Sequence, residues 1–524
     1  MYKTIAIVCS IDRMQAGQRK QVGHTNRRQL TSLLDCDLLG QAQVERAMRA
    51  DIRTSRKTTK KGLENNLNLT LCYASVTMPP MESPLCHGSL NYHNPVCPIA
   101  PDTDVILECL GSIWELHYPY LTKAVTLAEL CEGSQKQGTT QLQDTADTKR
   151  LRRTRRTVTS PTILQLSVKE PSVTKETLSF ALRTLYSPSQ CPEHWEEGIL
   201  STATILGLPH LFQRCLNEMV QKISSVTVCD FHHVSYKYKD TILQRACERW
   251  LELHLVTHLS CHINLRDLPF DLLLKTLRCP RLFVSSEYEL LKTVLLWVYL
   301  QINPNDQILP SHSAVITFFS NCSLKAGIFL EQPIGQKYTV LFQALHLHGI
   351  TEWHHLEEIQ QINLFPQSWL LLIFSRHYYT LQRGGDMSLT DFSTDAIRFG
   401  MIIKNESQSC IQTIGLYGFY FILKSTGLDT SDTYGFSLER LRHWDPELSS
   451  DSFMTCPFSM VAERHMRYQI TVQSCINQEW QVFSSGPINQ KFTLRKRFCK
   501  SQMYKLKGLC VPILVTFALA FPSS

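Results

Sequence analysis

The order of the short segments that begin at residue 103 most constrains the fold. Residues 105–109 read as a strand, and residues 113–117 read as a second strand. Because a turn at Gly111 and Ser112 joins them, the two strands are expected to form a β-hairpin. Pro119 can open a helix, since proline is tolerated in a first helical turn. The apolar face of this helix comprises Tyr120, Leu121, Val125, Leu127, Ala128 and Leu130.

A long helical region follows one more strand. Residues 162–168 alternate apolar and polar side chains, which indicates a strand. The helical period then recurs in successive stretches and predicts helices at 173–186, 196–207, 209–223, 227–236, 240–254, 268–277 and 287–302. The last stretch is apolar on nearly all sides, so we expect it to be buried.

The pattern changes again after about residue 350, where the helical period is lost. Glycines between Gly384 and Gly435 interrupt short apolar and aromatic runs, which is typical of strands and turns. We therefore predict an α+β protein. It comprises a small β-sheet capped by helices, an all-helical segment and a β-rich carboxy-terminal domain.

The chain has 524 residues, of which 43% are hydrophobic, and this is enough for several packed cores. We expect it to divide into regions of distinct texture. These are a mostly disordered region at 1–99, a sheet-and-helix domain at 100–224 with a long basic loop at 133–160, a helical domain at 225–345, a β-rich domain at 350–490, and a basic, then apolar, tail at 491–524.

The cysteines and the two ends of the sequence indicate in which cellular compartment the protein is expected. Nineteen cysteines are scattered without the repeating spacing of a disulfide framework, and residues 1–13 do not read as a secretory signal. Reduced thiols inside the cell, in cytoplasm or nucleus, fit this pattern best. Residues 508–521 are apolar but shorter than the roughly 20 residues that a spanning helix needs. A buried strand or a flexible tail is favoured there, and a membrane anchor is the alternative.

Charge and metal-ligand patterns give no clear binding site. The net charge of +7 is modest, so nucleic acid is not an expected partner. The run of Arg152, Arg153, Arg155 and Arg156 is interpreted as a solvated loop, with nuclear import or phosphate contact as the alternative. Near the amino terminus, possible zinc ligands lack a C-x-x-C pair; they are Cys86, His87, His93 and Cys97.

Catalytic and metal chemistry are not expected. The chain has no dinucleotide, P-loop, zinc-protease or nucleophile-elbow motif. Adjacent histidines, at residues 232–233 and 354–355, point about 100° apart on a helix and rarely share a metal. Cys247 reads as a core cysteine within an amphipathic helix. No cofactor or metal is predicted, and the protein is expected to be non-enzymatic.

The segment at 103–121, TDVILECLGSIWELHYPYL, resembles the BTB/POZ fold. That family has an acidic residue at the start of its first strand, here Asp104, and a histidine at the end of its second, here His117. A leucine follows in the next helix, here Leu121. Residues 177–187 resemble a later family helix that ends in a tyrosine, here Tyr186. Residues 199–219 resemble the paired helices that complete the domain.

The helical region is similar to the BACK segment that follows many BTB domains. Its most recognisable helix corresponds to residues 282–304, with Glu287 ahead of Trp297. Within BTB–BACK proteins the chain resembles the germ-cell-less branch, which lacks kelch repeats and has its own carboxy-terminal domain. Residues 364–370 and 383–389 resemble that domain.

The resemblance implies a protein-interaction scaffold. Its expected homodimer face comprises Leu116, Tyr120, Leu121 and Val125. Many family members are substrate adaptors of a cullin-3 ubiquitin ligase, and they contact cullin-3 through a loop with a hydrophobic-x-Glu motif. The aligned residues 135–137 do not match this motif, but Leu130 and Glu132 fit it slightly earlier. The expected partners are cullin-3, a second copy, and a substrate protein held by the carboxy-terminal domain. The alternative is a nuclear or cytoskeletal assembly scaffold that does not bind cullin.

Overall fold

A computed structural model describes residues 105–139, 162–189, 197–405, 409–428, 433–443, 445, 458–495 and 499–523. Within these ranges a small mixed sheet with helices is followed by a helical segment and then by a β-rich domain. The predicted α+β fold class is therefore confirmed. The amino-terminal region at 1–99, with its cysteines and histidines, lies outside the described residues, as do Asp104 and the arginines at 152–156.

The small sheet has the order β2-β1-β3, with β1 in the centre. Strands β1 (Val105–Cys109) and β2 (Ser112–Leu116) form the predicted antiparallel hairpin. Strand β3 (Thr162–Leu166) pairs parallel to β1. Leu110 and Gly111 form the two-residue turn, and their φ angles are 47° and 68°. Positive φ at both turn residues gives a backbone twist that matches the right-handed twist of the two strands.

Five helices surround this sheet. They are α1 (Tyr118–Leu121), α2 (Val125–Thr139), α3 (Lys175–Tyr186), α4 (Glu197–Leu206) and α5 (Pro209–Gln221). The predicted basic loop does not begin at Gly133, because α2 continues to Thr139. Its last turns are rich in Gln and Lys, which are good helix formers, so a polar sequence here is compatible with helix as well as with a loop.

The helical segment continues well beyond residue 345. Its helices are α6 (Val228–Tyr238), α7 (Thr241–His254), α8 (Phe270–Leu277), α9 (Glu287–Ile302), α10 (His312–Ala326), α11 (Pro333–Gln336), α12 (Thr339–Gln343), α13 (Trp353–Gln361), α14 (Gln367–Gln382) and α15 (Phe392–Asp395). Short 3₁₀ turns lie between them at Leu259–Cys261, Ile263–Asp267, Phe329–Glu331 and Leu347–Gly349.

The prediction that helix is lost after residue 350 was wrong. Helices α13 and α14 lie beyond this point, and α14 is rich in aromatic side chains, which favour strands on average. Their buried residues nevertheless recur every three positions, at Leu356 and Ile359 and at Leu370 and Ile373, and this spacing is helical. The β-rich domain therefore begins near residue 397 rather than 350.

The β-rich domain contains two sheets. One has the order β10-β8-β12-β4, with β9 also paired to β8, and the other has the order β11-β7-β6-β5. Side chains from both sheets meet in one hydrophobic core. The strands are β4 (Ile397–Ile403), β5 (Cys410–Leu416), β6 (Phe419–Leu428), β7 (Thr433–Arg440), β8 (Glu463–Ile476), β9 (Glu479–Ser484), β10 (Ile488–Thr493), β11 (Tyr504–Lys507) and β12 (Ile513–Ala520).

The apolar run near residue 515 is a strand and not a separate tail. Strand β12 pairs with β8 on one side and with β4 on the other. It is buried on both faces, so its sequence is continuously apolar instead of alternating, and this is why it resembled a membrane segment. Of the two favoured readings, the buried strand is confirmed. Within the described part of the chain, no helix is long and apolar enough to cross a membrane.

A single core joins the small sheet to the helical segment. Buried side chains from Val105 in β1 to Ile373 in α14 belong to one continuous cluster. Three of its cysteines, Cys215, Cys229 and Cys247, are buried thiols, and burial raises the pKa of each to about 12. As expected for Cys247, they are packing residues rather than nucleophiles, because a neutral thiol is unreactive.

Candidate protein-interaction site

Three of the four signature residues meet where β2, α1 and α3 join. His117 is the residue before α1, and its backbone N–H donates to the hydroxyl of Tyr186 at 3.0 Å. The same hydroxyl lies 3.2 Å from Nδ1 of His117. Leu121 is fully buried beneath them. The arrangement holds the end of the hairpin against the end of α3, which favours the structural role expected for His117.

Lys123 strengthens the same junction, and sequence reasoning missed it. Its ammonium group donates to the carbonyl of Leu185 at 3.0 Å and lies 5.2 Å from the centre of the Tyr120 ring. The rings of Tyr120 and Tyr186 are 4.5 Å apart. Lys123 follows the end of α1, so no helical spacing marks its contact with the Tyr120 ring, and its contact with α3 is visible only in the folded chain.

The predicted homodimer face is only half exposed. Leu116 and Leu121 are buried in the core, so the prediction that they form an outer face was wrong. Leu116 is the inward member of the alternating strand β2, and Leu121 points the same way from the short helix α1. Tyr120 and Val125 remain accessible, at 39% and 53% exposure. They leave a smaller outer patch than the sequence suggested.

The outer face of the small sheet carries apolar side chains that sequence reasoning did not select. Ile113 in β2 and Ile163 in β3 are exposed. Ile106 in β1 is opposite Ile163, and Glu108 is opposite Ile113. Residues opposite each other in neighbouring strands share a face, so these side chains form one surface. The signal was present, because apolar residues occur at both alternate positions of these strands.

The candidate cullin-contact motif lies inside α2. Glu132 is exposed, Cys131 is buried, and Leu130 is half-buried against the core. The motif therefore does not lie on a loop, and only its glutamate is fully available to a partner.

Helix α14 presents another apolar surface. Leu371 and Leu372 are 71% and 69% exposed, and Tyr378 and Tyr379 follow two turns later on the same side. A shallow cavity of about 380 Å³ lies beside Leu372 and Tyr379. Clusters of exposed apolar side chains of this kind are typical of interaction sites.

Polar contacts connect the helical segment to the β-rich domain. Arg398 in β4 donates to both carboxylate oxygens of Glu287 in α9, at 2.6 and 3.0 Å. The carboxylate side chain of Glu287 is 1% exposed. The backbone N–H of Gly400 also donates to the carbonyl of Ser285 at 2.9 Å. This set of contacts, which we call the α9–β4 clamp, fixes the position of β4 against the helices.

A second contact lies on strand β8 of the same sheet. The guanidinium of Arg249 in α7 donates to Gln473 and to Glu252, both at 2.7 Å. The amide of Gln473 donates in return to the carbonyl of Arg281 at 3.2 Å. Burial alone would raise the pKa of Glu252, but hydrogen bonds from Cys279, Arg249 and Arg281 lower it. Glu252 is therefore a carboxylate that holds the two guanidinium groups in place.

Comparison with known families agrees with this architecture. Residues 104–219 match the model of the BTBDG BTB/POZ domain. This segment of the chain is therefore a BTB/POZ domain. Residues 397–503 match the model described as BTB/POZ domain-containing protein 16, C-terminal domain, so the β-rich domain is of that particular type. Such domains are typically non-catalytic interaction modules, and a BTB domain implies protein partners.

Distant relatives extend over most of the chain. Germ cell-less protein-like 1 of Mus musculus is 23% identical over 399 residues, which cover 70% of this chain and 71% of the relative. Protein germ cell-less of Drosophila melanogaster is 21% identical over 363 residues, which cover 64% and 60%. The resemblance to BTB/POZ proteins and to the germ-cell-less branch is confirmed. The BACK assignment of the helical segment and the roles of the individual site residues stay predictions.

Proposed function

We propose that this chain is a non-enzymatic adaptor that holds two proteins in a fixed relative position, as a BTB–BACK substrate adaptor of a cullin-3 ubiquitin ligase does. One observation carries the proposal: the BTB domain and the helical segment share a continuous core from Val105 to Ile373. Domains joined by small polar interfaces move by default. A shared apolar core and the buried α9–β4 clamp instead support a rigid connection.

The exposed surfaces suggest how the partners are distributed. The outer side of α2, with Glu132, is the proposed cullin-3 contact, and Leu130 contributes its accessible part. Tyr120 and Val125 are the proposed self-contact, where two-fold symmetry would place the same patch on both copies. Self-association doubles the substrate sites of one assembly and raises avidity. The β-rich domain, with the neighbouring face of α14, is the proposed substrate-binding end. An intracellular location accompanies this role.

Binding of purified cullin-3 to the full-length chain tests the proposal. We use the full chain because the shared core extends past residue 305, so a shorter piece would expose apolar surface. We expect a dissociation constant of about 1 μM or tighter, and Glu132→Ala should weaken it by about fivefold or more, as loss of a contact worth about 1 kcal/mol does. The matched control is Glu129→Ala, an exposed residue on the same helix. Absence of binding at micromolar protein would end the cullin-3 proposal.

The second candidate is an assembly scaffold that does not bind cullin. The location of the hydrophobic-x-Glu motif favours it, because Leu130 packs against the core within α2. Proximity labelling with the full-length chain separates the two candidates. Enrichment of cullin-3 supports the adaptor, whereas a stable partner that co-purifies through the β-rich domain without cullin-3 supports the scaffold.

A further inference from the structure

Three metal-ligating atoms converge at the start of α13. Oε2 of Glu352 lies 3.1 Å from Nε2 of His354 and 3.4 Å from Nδ1 of His355. The three residues each offer one potential ligand atom, and these ligand atoms lie within 4.8 Å of one another. Zinc bonds of about 2.0–2.1 Å place the corners of a tetrahedral site about 3.3–3.4 Å apart. The two measured separations are close to that spacing.

The backbone explains how adjacent histidines reach one point. Neighbours on a helix point about 100° apart, which is why sequence reasoning excluded this pair. His354 presents its far ring nitrogen, Nε2, whereas His355 presents its near ring nitrogen, Nδ1, and this difference in reach compensates for the angle. Glu352 has extended backbone angles just before the helix, at φ −73° and ψ 130°. Its carboxylate can therefore lie over the first turn beside both rings.

Neighbouring side chains hold His355 in position. Its ring stacks on Tyr288 with a centroid separation of 3.5 Å. The hydroxyl of Tyr288 donates to Glu358 at 2.6 Å, and the same carboxylate oxygen lies 3.0 Å from Nε2 of His312.

The chemistry of the ligands restricts the ion. Calcium and magnesium prefer oxygen ligands only, whereas two imidazoles and one carboxylate suit Zn²⁺ and similar transition metals. Glu352 and His354 are 57% and 53% exposed, so water has access to the remaining coordination position. We propose that Glu352, His354 and His355 form a binding site for one divalent transition-metal ion of the zinc type.

Two nearby positive charges repel a metal ion at this site and limit its expected affinity. The amino terminus of α13 is the positive end of the helix dipole. Lys292 lies 5.6 Å from the centre of the Tyr288 ring, close to the site. Glu352 and Glu358 act in the opposite direction. We therefore expect weaker binding than at a closed structural zinc site with four protein ligands.

Metal titration of the full-length, metal-stripped protein tests the proposal. Because the chain has 19 cysteines that can also bind metal, wild type is compared with variants by calorimetry with Zn²⁺ and by the visible spectrum with Co²⁺. His354→Ala and His355→Phe should each lose one bound ion per chain, and the phenylalanine keeps the stack on Tyr288. The Co²⁺ difference spectrum should show d–d bands without a thiolate charge-transfer band.

The control is His233→Ala, an exposed histidine of the other adjacent pair, which should retain the ion. Zn²⁺ should also raise the Tm of wild type and of the control but not of the two site variants, since an ion that binds the folded state stabilises it. Mg²⁺ should leave the Tm of every protein unchanged. Equal Zn²⁺ and Co²⁺ uptake by wild type and by His354→Ala and His355→Phe would overturn the proposal.

Discussion

Removal of Arg398 should weaken the α9–β4 clamp by a large and pH-dependent amount. In Arg398→Met the apolar stem is kept, but Glu287 loses both of its guanidinium hydrogen bonds while its side chain stays 1% exposed. Removing one partner of a buried pair leaves an uncompensated charge and costs about 3–5 kcal/mol. We expect this loss in the free energy of unfolding near neutral pH.

His346 sets the pH dependence. Its Nδ1 lies 3.9 Å from Oε1 of Glu287. Burial first, and the charge of Arg398 second, lower its pKa in the native protein. Without Arg398 the pKa of His346 rises, because the largest charge that opposes the carboxylate of Glu287 at this site is removed. The folded variant therefore binds more protons than folded wild type, and the stability difference grows as pH increases. For each pKa unit by which His346 rises, the variant regains about 1.4 kcal/mol of its free energy of unfolding at acidic pH.

Urea unfolding followed by tryptophan fluorescence measures the effect, with Trp297 in α9 and Trp480 in β9 as reporters on the two sides. The double variant Glu287→Gln, Arg398→Met should lose less than the two single variants together, because it leaves no buried charge. The control is Lys491→Met, which breaks the exposed pair with Glu463 and should change stability by about 1 kcal/mol or less. Additive single and double effects, or a loss below about 1 kcal/mol for Arg398→Met, would refute the reasoning.

Further predictions concern close packing and the BTB junction. Gly400→Ala would place a methyl group 2.1 Å from the carbonyl oxygen of Val284; we expect a loss of about 1–3 kcal/mol in urea unfolding, as for overpacked sites. Gly133→Ala meets nothing within 4 Å and lies in α2, so it should stabilise the chain by up to about 1 kcal/mol through helix propensity. Replacement of glycine by alanine should thus lower stability at position 400 and raise it at position 133, and equal changes in stability would contradict this account. Tyr186→Phe removes the acceptor of the His117 N–H and should lower stability by about 1–3 kcal/mol, measured as a drop in Tm.

Local signals predicted much of the fold. Helix α9 has the bounds Glu287–Ile302 that its apolar run indicated, and Ser286 caps it through a hydrogen bond to the N–H of Glu289. Asp240 likewise caps α7 by accepting from the N–H of Leu243. The hairpin of β1 and β2 follows from strand alternation around a short turn. These features depend on residues within a few positions of one another, so they can be predicted from the sequence alone.

Non-local contacts could not be read in this way. Glu287 and Arg398 are separated by 111 positions, and no local pattern links them. Leu121 was assigned to an outer face through the resemblance to the BTB/POZ family, whereas the structure buries it in the core. The sequence indicated that His354 and His355 point in different directions on the helix. In the structure one carboxylate oxygen of Glu352 lies close to a ring nitrogen of each. The partner of Glu287 comes from a distant strand, and Glu352 lies beside the two histidines because its backbone is extended just before the helix. Neither contact follows from a repeating local pattern.

The position of β12 affects how the β-rich domain is made. This strand separates β8 from β4, and among the strands that the structure describes in this sheet, β4 pairs with β12 alone. During synthesis, β4 emerges more than 100 residues before its neighbour β12. The backbone groups of β4 therefore lack their hydrogen-bond partners until Ile513–Ala520 has left the ribosome. A stop codon upstream of residue 513 would leave the facing edges of β4 and β8 open, and such edges recruit other chains. Shortened translation products should therefore aggregate rather than persist as smaller folded chains.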